Sequence, residues 1–188
     1  MHYIVGLGNP GEEYELTRHN TGRMVVEAFR KQEKFPEWVF NKKINALKTE
    51  GKIKKEKILL LLPETFMNNS GNAVAKIITS KKKAERLIVV HDDLDLPLAK
   101  FKISFARSSA GHKGVESVIR KIKTNEFIRL RVGTSPKKKP EAKELIKFLL
   151  DKFGPKELAV FKKTVKKITF ALEMIISEGL QRAMSEYN

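Results

Sequence analysis

The chain has 188 residues, no cysteine and a formal net charge of +16 at pH 7, from 38 Lys and Arg against 22 Asp and Glu. The missing thiols exclude disulfides and thiolate metal centres, and the cationic excess favours a polyanionic partner, nucleic acid ahead of an anionic membrane surface. With 41% hydrophobic residues, no linker-like composition shift and no apolar run long enough to span a bilayer, residues 1–188 are expected to form one domain of a cytoplasmic protein.

In chain order, Ile4, Val5 and Leu7 read as a short buried strand, because turn residues follow at once in Gly6-Leu7-Gly8-Asn9-Pro10-Gly11. This loop displays a carboxamide, Asn9, and after Tyr14 it reaches an imidazole, His19. A Gly-x-Gly-x-x-Gly dinucleotide reading fails here, since Pro10 and the acidic Glu12, Glu13 and Glu15 intervene where a helix should cradle a pyrophosphate. Asn20 or Thr21 is expected to cap a helix carrying Met24, Val25, Ala28 and Phe29. Residues 38–40 and 44–49 read as extended, with a turn at Glu50-Gly51. Residues 58–62 then read as a central strand buried on both faces and ended by Pro63.

A second polar turn, Thr65-Phe66-Met67-Asn68-Asn69-Ser70-Gly71, precedes a helix with Ala73, Val74, Ile77 and Ile78; Asn69 or Ser70 should cap it, leaving Asn68 over. Residues 87–90 are a third buried strand, followed by a polar loop, His91-Asp92-Asp93-Leu94-Asp95-Leu96-Pro97. Its acidic residues raise the possibility of a divalent cation, but no central Gly or distant Glu completes a calcium pattern, and no metal is expected. An extended piece at 100–105 leads to the small-residue loop 106–114, which opens a helix with Val115, Val118, Ile119 and Ile122. Residues 128–133 alternate apolar and basic, as a strand with one wet cationic face would; 134–140, with Lys137-Lys138-Lys139 between prolines, reads as a loop. Helices are expected over 141–150 and about 156–178, the second with Gly179 as its C-cap. Strands alternating with helices, plus a hairpin region, give an α/β fold: a single domain with a mixed twisted sheet surrounded by helices.

If the loops at the strand ends meet at one edge, Asn9, His19, Asn68 and Asp92 converge. No nucleophile elbow, metal ligand set or phosphate loop is present, which leaves direct attack by water. His19 would be the general base, Asp92 would orient it and stabilise the imidazolium, and Asn9 and Asn68 would donate N–H groups to a carbonyl and its oxyanion. This is ester hydrolysis, and Lys102 and Arg131 on neighbouring strands suggest an ester carried on nucleic acid.

At these residues the sequence resembles the bacterial-type peptidyl-tRNA hydrolases. The resemblance rests on Gly6-Leu7-Gly8-Asn9-Pro10-Gly11 with Tyr14 and Thr17-Arg18-His19-Asn20-Thr21-Gly22, on the stretch from Pro63 to Gly71, and on His91-Asp92-Asp93-Leu94-Asp95-Leu96-Pro97. It implies hydrolysis of the ester between peptide and the 3′ end of tRNA, without cofactor or metal, by a cytoplasmic monomer whose partner is peptidyl-tRNA. It also implies His19 as catalytic base, Asp92 as its partner, a peptide channel lined by Asn9, Met67 and Asn68, and a tRNA 5′ phosphate held by Lys102 and Arg131. Tyr14, Phe66 and Lys113 are further candidates for substrate contact. Two stretches depart from the family pattern: Gly111-His112-Lys113-Gly114 carries Lys where the family usually has Asn, and Arg131-Val132-Gly133-Thr134-Ser135-Pro136 replaces Arg-x-Gly-x-Gly. Lys113 also fits an RNA-binding protein of the same fold with little or no hydrolysis, against which the intact His19 and Asp92 argue.

Overall fold

The computed structural model describes residues 1–136 and 141–188, so the expected Lys137-Lys138-Lys139 loop lies outside the described residues. The order of elements is β1 (His2–Gly6), α1 (Thr21–Gln32), β2 (Val39–Asn41), β3 (Ala46–Ile53), β4 (Glu56–Pro63), α2 (Ser70–Val74), α3 (Lys81–Ala84), β5 (Leu87–Pro97), β6 (Phe101–Phe105), α4 (Lys113–Ile122), β7 (Ile128–Ser135), α5 (Leu145–Leu150), α6 (Pro155–Ser177) and α7 (Leu180–Tyr187). The strands form one seven-stranded sheet in the order β2-β3-β4-β1-β5-β7-β6. β4, β1, β5 and β7 are parallel, while β2, β3 and β6 add antiparallel pairs at the two edges, so the sheet is mixed, as expected.

β1, β4 and β5 carry unbroken apolar runs at 3–5, 58–62 and 87–90 because helices cover both faces, and period-two geometry sends alternate side chains to opposite sides. Ile4, Leu60, Leu62, Ile88 and Val90 pack with Val25 and Phe29 of α1 and Phe161, Ile168 and Leu172 of α6. Val5, Leu59, Leu61, Leu87 and Val89 pack with Val74 of α2 and Val115 and Val118 of α4. Gly22 brings the first turn of α1 onto the sheet: a Cβ there would collide with the carbonyl of Val90 and the backbone of Leu7. That contact holds His19, just upstream, over the carboxyl ends of β1 and β5.

Four local expectations are corrected. Gly51 does not turn the chain; it lies within β3, 2.6 Å from the Phe35 ring to where its Cβ would be, and the hairpin turns at Lys54-Lys55 instead. The segment 91–97 is strand rather than loop, because Gly133 lacks the side chain that would strike the carbonyl of Pro97, so β5 continues along β7. The helix after Gly71 stops at Val74, and α3 and α7 are short additions that weak periodicity had concealed. β7 extends through Thr134 and Ser135, and its cationic face is only partly wet: Arg129 is 2% exposed at a cavity that α7 helps to line, while Arg131 is partly exposed.

Candidate active site

In an open α/β sheet, ligands bind outside the carboxyl ends of the parallel strands where the chain order reverses. β1 sits at that point between β4 and β5. From β5 rises Asp92, 2% exposed, whose carboxylate receives two imidazoles. His19, on the 3₁₀ turn Arg18–Asn20, places Nδ1 at 3.0 and 3.1 Å from the two carboxylate oxygens. His112, the N-cap of α4, places Nε2 at 2.9 Å from Asp92 Oδ1.

Hydrogen bonds fix the proton inventory. His112 Nδ1 accepts from the amides of Gly114 and Val115 at 3.1 and 3.2 Å, so its proton is on Nε2 and is donated to Asp92. The anionic Asp92 likewise holds the His19 proton on Nδ1, leaving Nε2 as a lone pair with no partner among the described residues. Burial works against ionisation of Asp92, but the charges and hydrogen bonds of His19 and His112 outweigh it and hold the carboxyl well below its usual range. Burial likewise lowers the pKa of His19, yet the adjacent Asp92 reverses that and leaves it raised above 6.5. His91 is kept neutral by burial and by the neighbouring His112; its Nδ1 donates to the Asp92 carbonyl at 2.6 Å. His19, Asp92 and His112 offer ligand atoms within 4.8 Å of one another, a spacing that would also suit a metal. These atoms already satisfy each other, and the set reads as an oriented base.

The three residues line a cavity of about 480 Å³, with Lys113 on its rim and the apolar Leu145, Ile146, Leu149 and Leu150 of α5 as its wall. The expected carboxamides lie beside this cavity and do not line it. Asn9 Oδ1 accepts from the Met67 amide at 2.8 Å, which leaves the Asn9 NH₂ group as the donor end of the side chain. Asn20, expected as a helix cap, makes no cap bond; its side chain instead clasps the Asn9 backbone through Asn9 N to Oδ1 at 2.8 Å and Nδ2 to Asn9 O at 2.9 Å. Neither Asn69 nor Ser70 caps α2; the Ser70 hydroxyl donates to the Met67 carbonyl at 2.9 Å. The two clusters meet at Gly114, where a Cβ would strike Met67 Sδ and approach His112 Cε1 to 3.1 Å. Asn68 is exposed and its side chain has no hydrogen bond among the described residues, whereas Phe66 stands 58% exposed, edge-on to Tyr14 at 6.4 Å between ring centroids. Lys113 is exposed and directs Nζ to Glu116 at 3.4 Å.

Lys102 and Arg131 are register partners on β6 and β7, and they line a separate cavity of about 660 Å³ with Arg107 and Arg129. Asp93 joins the two sites: it lines the histidine cavity and receives Arg131 Nε at 2.5 Å.

The family model described as "Peptidyl-tRNA hydrolase" matches residues 3–188. The chain belongs to the peptidyl-tRNA hydrolase family. It is 41% identical over 189 residues to a peptidyl-tRNA hydrolase of Caldanaerobacter subterraneus subsp. tengcongensis and 42% identical over 189 residues to one of Thermoanaerobacter sp., with all of each chain covered. The crystal structure of peptidyl-tRNA hydrolase from Acinetobacter baumannii superposes with a TM-score of 0.92 at 26% identity, covering 100% of this chain and 94% of that one. Two residues of these cavities were not candidates in the sequence. His112 stands in the stretch Gly111-His112-Lys113-Gly114 that resembles the family pattern, but nothing local placed it on Asp92, and nothing in the strand 128–133 distinguished a buried Arg129 from a surface one.

Proposed function

We propose that this chain hydrolyses the ester bond between peptide and tRNA in peptidyl-tRNA, releasing free peptide and returning the tRNA to translation. The observation that carries the reading is the His19–Asp92–His112 array at the strand ends. His19 Nε2 takes a proton from water as the water oxygen attacks the ester carbonyl carbon, and Asp92 stabilises the imidazolium that forms. Asn9 Nδ2 and Asn68 donate to the oxyanion. When the C–O bond breaks, the His19 imidazolium returns the proton to the ribose 3′ oxygen, so the base is regenerated and neither metal nor cofactor is needed.

The polypeptide runs past Met67 and Phe66, with Tyr14 and the Lys113 rim beside it, while Lys102 and Arg131 receive tRNA phosphate on the far side of Asp93. The protein acts as a cytoplasmic monomer. Among the described residues no helix is long and apolar enough to cross a membrane. The test is peptide release from purified peptidyl-tRNA by wild type and His19→Ala. The variant should lose on the order of 10²- to 10⁴-fold in rate while still binding tRNA; equal rates would refute the mechanism.

A further inference from the structure

The loops that follow β1 and β4 meet where Asn9 Oδ1 accepts from the Met67 amide, and one side chain of α1 touches both of them. Arg23 donates from Nη1 to the Pro63 carbonyl at 2.8 Å and from Nη2 to Glu64 Oε1 at 2.6 Å. Its stem packs under Gly8, where a Cβ would stand 2.6 Å from Arg23 Cδ and 2.8 Å from Asn20 Oδ1. Glu64 is also held through its backbone: its N–H donates to the Asn45 carbonyl at 3.0 Å, and its carbonyl accepts from Asn45 Nδ2 at 3.0 Å. The Arg23 and Glu64 side chains are only 16% and 23% exposed, so solvent screens their ion pair less than one on the open surface.

We propose that Arg23 is a positioning residue for the peptide side of the site, and that its clasp on Pro63 and Glu64 sets how the loop bearing Phe66, Met67 and Asn68 meets the peptide. The inference rests on the reading of that loop as the peptide channel and adds the group that holds it. The reacting centre is held independently. Asn20 binds both the N–H and the carbonyl of Asn9, and the His19 ring is oriented by Asp92. The start of the loop has less support: among the described residues, 64–66 are hydrogen-bonded to residues outside 63–71 only through Glu64, and the Thr65 hydroxyl is buried without a partner. Losing Arg23 therefore loosens the peptide grip while the base and the oxyanion donor stay in place, so KM should rise and kcat should hold.

Steady-state hydrolysis of two substrates tests this, tRNA carrying one N-acetylated amino acid and tRNA carrying an oligopeptide. Arg23→Met keeps an apolar stem against Gly8 and removes the guanidinium. It should raise KM for oligopeptidyl-tRNA by about fivefold, the scale of one partly buried charge-assisted contact, and leave kcat within about twofold. The increase should be smaller for the single blocked amino acid, which offers the loop less to hold. Glu64→Gln should give the same split, and the double variant should be no worse than either single one, because all three break one contact. Arg23→Lys, which keeps a cation without the planar fork, should recover part of the affinity. Deacylated tRNA should bind every variant with wild-type affinity, which separates the clasp from a general loss of positive charge.

A lower Tm with KM and kcat unchanged would overturn the proposal, since the clasp would then serve the fold alone. So would a loss confined to kcat, additive KM increases in the double variant, or an equal KM increase for both substrates. If Arg23→Met does not fold, Glu64→Gln and Arg23→Lys carry the same comparison. Phe66→Ala separates the inference from the reading beneath it. If that change raises KM for oligopeptidyl-tRNA while the Arg23 and Glu64 variants behave as wild type, the clasp falls and the peptide channel stands. If Phe66→Ala leaves this KM unchanged, the channel reading falls and takes the inference with it.

Discussion

The raised pKa of His19 has two consequences of opposite appearance at the scale of the residue. Catalysis needs the neutral ring, so kcat should fall on the acid side with a midpoint above 6.5, and Asp92→Asn should shift that midpoint downward while slowing the reaction. A flat acid limb in wild type would remove His19 as the base. Stability runs the other way: a raised folded pKa means the His19–Asp92 pair stabilises the fold below the unfolded value of 6.5, and this contribution is lost as pH rises through the folded value. The loss of stability in His19→Gln, measured by denaturant unfolding, should accordingly be larger at pH 5.5 than at pH 8.5. Asp92 has a lowered pKa, so its stabilisation is present above its ordinary 3.8 and disappears as acid protonates it.

His112 joins residue to element, because one ring caps α4 through Nδ1 and supports Asp92 through Nε2. These jobs separate in two variants. Asn is a good N-cap and offers an acceptor, so His112→Asn should retain the stability of α4 while slowing hydrolysis; His112→Ala should lose about 1 kcal/mol as well. Thermal unfolding beside kcat checks this, and equal loss of stability in both would deny the cap its role. A second junction is Arg18, whose Nη1 meets the carbonyls of Phe148, Asp151 and Lys152 at 3.4, 3.2 and 3.3 Å and whose Nη2 meets Glu157 at 2.7 Å. It ties the turn bearing His19 to the end of α5 and the start of α6, so wall and base keep a fixed relation. Arg18→Met should destabilise the protein by about 2 kcal/mol, through lost charge-assisted bonds to carbonyls left without a donor, and unfolding in urea measures it.

For the whole molecule, the charge of +16 favours a polyanionic partner, and the salt dependence of tRNA binding counts the phosphates that its cations neutralise. Replacing Lys102 or Arg131 with Ala should lower the slope of log K against log salt by about one unit each if they contact phosphate, and an unchanged slope would return both to the solvated surface. The pairing of Arg131 with Asp93 makes the two replacements unequal. Arg131→Ala also frees a buried carboxylate beside the histidine cavity, so it should change the pH profile, and Lys102→Ala should not.

Sequence alone determined the strands β1 and β4, the first half of β5 and the helix α6, because apolar periodicity there reports burial directly. It also determined His19 and Asp92 as candidates, because their residue types stand in spaced motifs that resemble one family. Tertiary structure decided the rest. Gly51 looks like a turn signal in one dimension, yet it admits the Phe35 ring, and Gly133 admits the Pro97 backbone, a role its place in the strand 128–133 does not announce. Asn20 reads as a cap, and only the fold shows it holding Asn9. The second imidazole on Asp92 and the buried guanidinium of Arg129 depend on which strands become neighbours, and strand order is set by long-range packing that local spacing does not encode.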